Sequence, residues 1–425
     1  MITGALRNIF KSPDLRNKIL FTLGILVVFR VFTHIPVPGV NAEALRNLFS
    51  ENQLFGFLNM FSGGTMGTLS VVTLGLNPYI NASIIFQLLE MIFPKLEALA
   101  KEGQYGRQKI NQYTRIVTIP LAAVQAFGMY YLFKGQGVIG NLGILPLVAL
   151  VVSMTAGTVL MMWLGELISE RGIGNGISIM IFAGILGGLP IGFAQTLSTR
   201  TQGDIVKFVL FIIMALLVIA GIVFIQEAQR KIPVQYAKRV RGGKLYGGQS
   251  THLPLRINQA GVIPIIFAMS LIIIPGTVAS YFVQSTNLQL ASVARSVQLF
   301  FNNTLYYSIL YFLLVVGFTY FYTAIAFNPE KVADDLKKYG GFIPGIRPGK
   351  PTAEYLNKVL TRVTLAGSIF LGVIAILPFV AQSLTNVQAL QLGGTGILIV
   401  VSVVLETTKQ LESMLVMRNY EGFLE

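Results

Sequence analysis

Ten stretches rich in apolar residues dominate this 425-residue chain. They run near Ile19–Ile35, Val71–Phe93, Ile116–Phe133, Ile144–Ile168 and Ile177–Ile191, then Ile205–Ile225, Ala260–Val283, Leu305–Phe327, Val359–Val380 and Leu390–Leu405. A helix needs about 20 mainly apolar residues to cross the hydrocarbon core of a bilayer. The fifth stretch is short and glycine-rich, but the others meet or approach that length. Only 12% of the residues are charged, against roughly 25% in a soluble domain. Such a chain cannot cover a soluble surface. The expected fold class is an all-α polytopic membrane protein with ten transmembrane helices. The basic N-terminus leads into the first stretch as a signal peptide would, but that stretch ends at His34-Ile35-Pro36 without a small-residue cleavage site. It reads as a retained span.

The formal net charge is +14, and its placement sets the topology. With ten spans, 26 of the 32 Lys and Arg residues fall on the side of the N-terminus. By the positive-inside rule, both termini are cytoplasmic. Five spans per half put the two halves in opposite orientations, so halves that are structural repeats must be inverted ones. The expected organisation is a cytoplasmic segment over 1–18, an N-terminal half over 19–200, a C-terminal half over 201–408 and a tail over 409–425. Pro78 and Pro264 lie near the start of the second span of each half. Interrupted helices at matching places point to a substrate path, although proline is also common in membrane helices. Between the first two spans, Phe55–Pro78 is nearly uncharged yet broken by Gly56, Gly63, Gly64, Gly67 and Gly75. Irregular backbone at membrane depth survives only when buried or lining a cavity, so a short half-helix tucked into the protein is expected. A helix lying on the outer surface is the alternative.

Chemistry is sparse. There are no cysteines and two histidines. His34 and His252 face opposite sides of the membrane, so no metal site or His relay forms from them, and no cofactor is expected. The run Arg171–Ser178 (RGIGNGIS) looks faintly like a dinucleotide loop, but that fingerprint requires a preceding strand; here it reads as a tight turn between helices. Ionisable residues in the spans are few: Arg30, with Glu90, Glu166 and Glu406 near cytoplasmic ends. Asn81, Gln87 and Gln125 add neutral polarity, for which helix–helix hydrogen bonding is the default role. Two long cytoplasmic loops, about 227–258 and 328–358, hold much of the basic charge. The first contains a Gly-Gly hairpin signal, and the second opens with a helix-start pattern at Asn328-Pro329. Such loops suit docking of an anionic partner, acidic protein or RNA phosphate.

Several segments are more specific. GRQKINQYTR, MWLGELISERGIGNGISI, QYAKR, QSTHLPLRINQAGVIPIIFA, FNPEKVADDLKKYGGFIPGIRPGKPT and GGTGILIVVSV together resemble SecY, the protein-conducting channel subunit of the bacterial cell (inner) membrane. The resemblance runs from near the N-terminus to the last span. It implies an hourglass channel between two inverted five-helix halves, non-enzymatic, that conducts unfolded secretory polypeptides and releases membrane segments through a lateral gate. It also implies an apolar ring at the waist, on Leu76, Ile80, Ile177, Ile181, Ile266 and Ile399, with Leu76 standing where isoleucine is expected. The glycine-broken segment (about 55–70) then matches a plug with its core at Asn59, Met60, Phe61, Ser62, Gly63 and Gly64. Asn81, Gln125 and Asn258 become lateral-gate candidates. Arg347, then Lys238, Arg239 and Lys244, become docking residues for the motor ATPase SecA or the ribosome. The implied partners are SecE, SecG, SecA, the ribosome, signal peptides, translocating polypeptides and membrane lipids.

Two other readings stay open on the residues alone. An inverted-repeat small-molecule secondary transporter would show a closed midplane pocket with polar ligands, whereas a polypeptide channel would show an apolar constriction. A structural scaffold would show no pore.

Overall fold

The computed structural model describes residues 13–37, 45, 65, 67–135, 137–198, 205–236, 239–241, 244–246, 250–282, 287–385 and 394–421. Within them the chain forms thirteen helices: α1 (Pro13–Phe32), α2 (Asn77–Ile92), α3 (Pro94–Lys101), α4 (Gln104–Gly135), α5 (Ile144–Arg171), α6 (Gly176–Ser198), α7 (Ile205–Glu227), α8 (Ile263–Phe282), α9 (Leu288–Asn302), α10 (Thr304–Ala326), α11 (Pro329–Lys338), α12 (Lys350–Thr385) and α13 (Gly394–Glu421). Each of the ten apolar stretches lies largely in one of these. Helices α3, α9 and α11 are additional connectors. By length and composition alone, α4, α5, α10 and α12 can each cross a membrane, and shorter apolar stretches lie in α6, α7 and α8. Outer faces stay apolar, as at Val124, Leu217 and Phe224, all more than two-thirds exposed.

The inner faces are narrow stripes. Helix α4 buries Ile110, Thr114, Thr118, Ala122, Ala126 and Tyr130, a four-residue spacing that keeps one side turned inward. Thr114 and Thr118 donate to the carbonyls of Ile110 and Thr114 at 2.9 and 2.7 Å, so their hydroxyls are satisfied within the helix. Helix α10 does the same, Thr319 and Thr323 donating to Val315 and Thr319. The neighbour relations also recur. In the first half α4 packs on α2 and α5, α5 on α6, and α1 on α5. In the second half α10 packs on α8 and α12, α12 on α13, and α7 on α12. Each half has its own core, one around Leu150, Met154 and Phe133, the other around Ile222, Ile265, Val315 and Leu371.

Two sequence expectations change here. The second span does not begin at Val71; residues 71–76 form turns, and α2 starts at Asn77. Pro78 and Pro264 do not interrupt their helices. Each is the second residue of its helix, α2 or α8, where a missing N–H costs nothing because the first-turn N–H groups have no intrahelical partner. The proline inside α8 is Pro275.

The turn segment before α2 is buried: Leu69, Ser70, Val72, Thr73 and Leu74 are each at most 4% exposed. It lies on α5, where Gly157 permits the approach, since a Cβ there would overlap the Val71 carbonyl oxygen. Gly157→Leu should therefore be destabilising, by about 3 kcal/mol as expected for a strong overpacking clash. The check is melting of the purified protein in detergent; an unchanged midpoint would mean the Val71 segment moves aside freely.

Candidate functional site

A third apolar cluster joins the two halves. It takes Ile25 and Phe29 from α1, Val72 and Leu76 from the turn segment, Met161, Met162, Leu164 and Ile168 from α5, and Ile179, Met180 and Ile185 from α6. From the second half it takes Ile399 and Val403 of α13, with Val262, Ile266 and Val400 packed against them. All six residues expected at the waist lie here. Leu76 and Ile399 are 5% and 1% exposed, and Ile80, Ile177, Ile181 and Ile266 are half-buried against the cluster. Three methionines add soft, adaptable packing.

Local structure explains why these side chains meet. Leu76 and Ile80 are four residues apart across the start of α2, as Ile177 and Ile181 are on α6, so each pair shares a face. The α5–α6 turn is tight because Gly174 is left-handed (φ +74°) and Gly176 has no Cβ to strike the Gly165 carbonyl. Asn175 Oδ1 accepts from Ile177 N and Ser178 N at 3.1 and 3.3 Å, capping α6. Gly176 N donates to Ser169 Oγ at 2.8 Å. The glycine run is thus the tight turn read from sequence. It sets Ile177 at the first turn of α6.

Polar groups flank this cluster. Arg30, the ionisable residue within the first span, donates from Nη2 to the Gly187 carbonyl at 3.3 Å. Arg115 of α4 pairs with Glu166 of α5 at 2.6 Å. Helix α8 touches both α2 and α4, which carry the half-buried Asn81 and Gln125. Asn258 lies before α8 and is 4% exposed. Its Nδ2 donates to Gly261 O at 3.0 Å, a bond within its own turn.

The two basic loops, read separately in the sequence, form one unit. Strands β1 (Gln229–Tyr236), β4 (Ser250–Arg256) and β5 (Gly341–Phe342) make a sheet of order β4-β1-β5, while β2 (Arg239–Arg241) and β3 (Lys244–Tyr246) form the expected hairpin. Pairing of Gln235 with Phe342 and of Tyr236 with Gly341 ties the first loop to the second. Ile232, Val234, Leu255, Ile343 and Leu356 fill the space between the sheet and the start of α12. Asn328 caps α11, accepting from Lys331 N at 3.1 Å. Arg347 is exposed at the tip, and its carbonyl accepts from Thr352 Oγ1 at 2.8 Å. Arg239 and Lys244 lie on β2 and β3. Lys238 and the expected plug core, Asn59, Met60, Phe61, Ser62, Gly63 and Gly64, lie outside the described residues, as do residues 1–12 and 422–425.

Comparison with known proteins decides the family. The SecY family model matches residues 70–408. The protein translocase subunit SecY of Streptomyces coelicolor is 50% identical over 441 aligned residues, covering 98% of each chain. The chain belongs to the SecY family. A solved protein-conducting channel superposes with a TM-score of 0.64 at 21% identity, covering 94% of this chain and 92% of that one. Sec61 from the canine ribosome–channel complex gives a TM-score of 0.61 at 19% identity, with 94% and 92% covered. These likenesses establish the fold as that of a SecY-type channel. The protein is a translocase subunit of the membrane, and membership in this family sets the transporter reading aside.

For a SecY-family chain, the sequence reading missed two features. One is the pairing of the two loops across about a hundred residues, for which the two-residue strand β5 gives no signal of its own. The other is the buried turn segment ahead of α2. Its signal was present: Ser70, Thr73 and Gly75 inside an apolar run are turn chemistry rather than helix chemistry.

Proposed function

We propose that this chain forms the central pore of a Sec preprotein translocase in the bacterial inner membrane, with both termini cytoplasmic. An extended polypeptide passes between the two halves, and Leu76, Ile80, Ile177, Ile181, Ile266 and Ile399 form a deformable apolar collar around it. The observation that carries this reading is that these six side chains share the cluster to which both halves contribute. A collar without charge or strong hydrogen-bonding groups seals against water by dewetting while holding no particular sequence tightly. Membrane segments leave between α2 and α8, past Asn81, Gln125 and Asn258. Asn59–Gly64 serves as the plug, and glycines there lower the cost of displacing it. SecE and SecG complete the complex. SecA or a ribosome docks on the unit built from the two basic loops, with Arg347 foremost, then Lys238, Arg239 and Lys244.

The test is site-specific photo-crosslinking of a stalled secretory chain. Probes at Ile80 and Ile266 should capture it, whereas a probe at lipid-facing Leu217 should not. Equal capture at all three positions, or none at the first two, would remove the pore assignment.

A further inference from the structure

The segment leading into α2 is held in a way that mere chain connection does not require. Its route is strapped to the end of α1: Val71 N donates to Ile35 O at 2.9 Å, Val37 N to Leu69 O at 2.8 Å, and Pro36 bridges Ser70. The buried Thr65 carbonyl accepts from Ser70 N at 3.1 Å and lies within reach of the Thr73 and Thr68 hydroxyls, at 3.1 and 3.2 Å. Each hydroxyl has one proton, which Thr73 shares between Thr65 O and the nearer Ser70 O at 2.5 Å, and Thr68 between Thr65 O and Thr33 O at 3.1 Å. Thr33 in turn donates to Arg30 O at 2.7 Å. The loop closed by these bonds is strained. Leu69 is the one non-glycine residue with positive φ (+41°) among those described, a conformation costly for a branched side chain. Ser70 Oγ is buried with no hydrogen-bond partner. Backbone held at such cost persists only where its surroundings over-determine it.

Three residues after Thr73 comes Leu76, and one helical turn later Ile80. The link between is short and carries three backbone bonds, Gly75 N on Val72 O, Asn77 N on Leu74 O and Ile80 N on Leu76 O. We propose that the Thr73 hydroxyl, with Thr68 in support, is a positioning group for the apolar ring: by closing the strained Thr65–Thr73 loop it fixes where Leu76 and Ile80 project. The inference rests on the reading of those two residues as part of the ring. A threonine that only filled space here would be replaced without loss by valine, its isostere, because the site is fully buried and its neighbours Val72 and Leu74 are apolar. A positioning hydroxyl would not.

The experiment compares resting ion conductance of the translocase complex in proteoliposomes at matched channel content. Thr73→Val should leak several-fold more than wild type, and Thr73→Ser, which keeps the hydroxyl, should return close to it. Leu76→Ser is the reference for the ring itself and should leak more than either. If Leu76→Ser leaks while Thr73→Val does not, the positioning role is overturned and the ring stands. If Leu76→Ser is as tight as wild type, the ring reading fails and takes this inference with it. A leak in Thr73→Ser equal to that in Thr73→Val would also overturn the role of the hydroxyl. Should Thr73→Val fail to accumulate, Thr68→Val at the exposed Thr68 decides: a smaller rise in leak supports the network, and wild-type tightness overturns it.

Discussion

An Arg347→Glu channel should accumulate, insert and melt like the wild type, yet lose motor-driven translocation into reconstituted vesicles by roughly thirtyfold or more, the scale of a reversed charge at a docking interface. Folding is spared because Arg347 contributes only its backbone to the local structure. Thr352 holds its carbonyl, Ile343 and Ile346 on the same loop pack into the core beneath the sheet, and Gly345 and Gly349 supply the left-handed turns on either side (φ +82° and +98°). The side chain points from a rigid tip into solvent. Reversal therefore changes what the tip attracts and leaves how it is built unchanged. Full translocation by this variant would remove Arg347 from the docking surface.

The double variant Ile80→Ser, Ile266→Ser should keep its fold and leak ions at rest by at least tenfold over the wild type. The two residues come from opposite halves and are only half-buried in the joining cluster, so each substitution costs about 1 kcal/mol, less than for a fully buried isoleucine. The functional cost is larger, because a constriction that excludes water by being apolar loses its barrier once hydroxyls line it. Conductance of reconstituted channels measures this. A tight double variant with normal translocation would mean that the seal lies elsewhere.

Much of the architecture was legible in the chain. Hydropathy marked the apolar stretches that now lie in helices, and RGIGNGIS read as a turn, as Gly174, Asn175 and Gly176 prove to make. The β2–β3 hairpin and the Asn328 cap were equally local and equally readable. Pro78 and Pro264 left two readings open, a break or an ordinary membrane-helix proline, because proline at the first turn of a helix and proline inside one look alike without the helix boundary. The waist residues came from resemblance to the family. Nothing in their composition separated Ile266 from the many other isoleucines.

The sequence by itself determined what depends on neighbours along the chain: the apolar stretches, turn chemistry and the motifs of the family. Only the tertiary structure decided which distant side chains meet. Leu76, Ile177, Ile266 and Ile399 come from four separate segments of two halves, and β5 finds β1 across about a hundred residues. The Thr65–Thr73 loop is likewise fixed by α1 and by Gly157 of α5. Local pattern says that an apolar or hydroxyl residue must be satisfied somewhere. Which partner satisfies it is a property of helices packed together, and that information exists only in the folded chain.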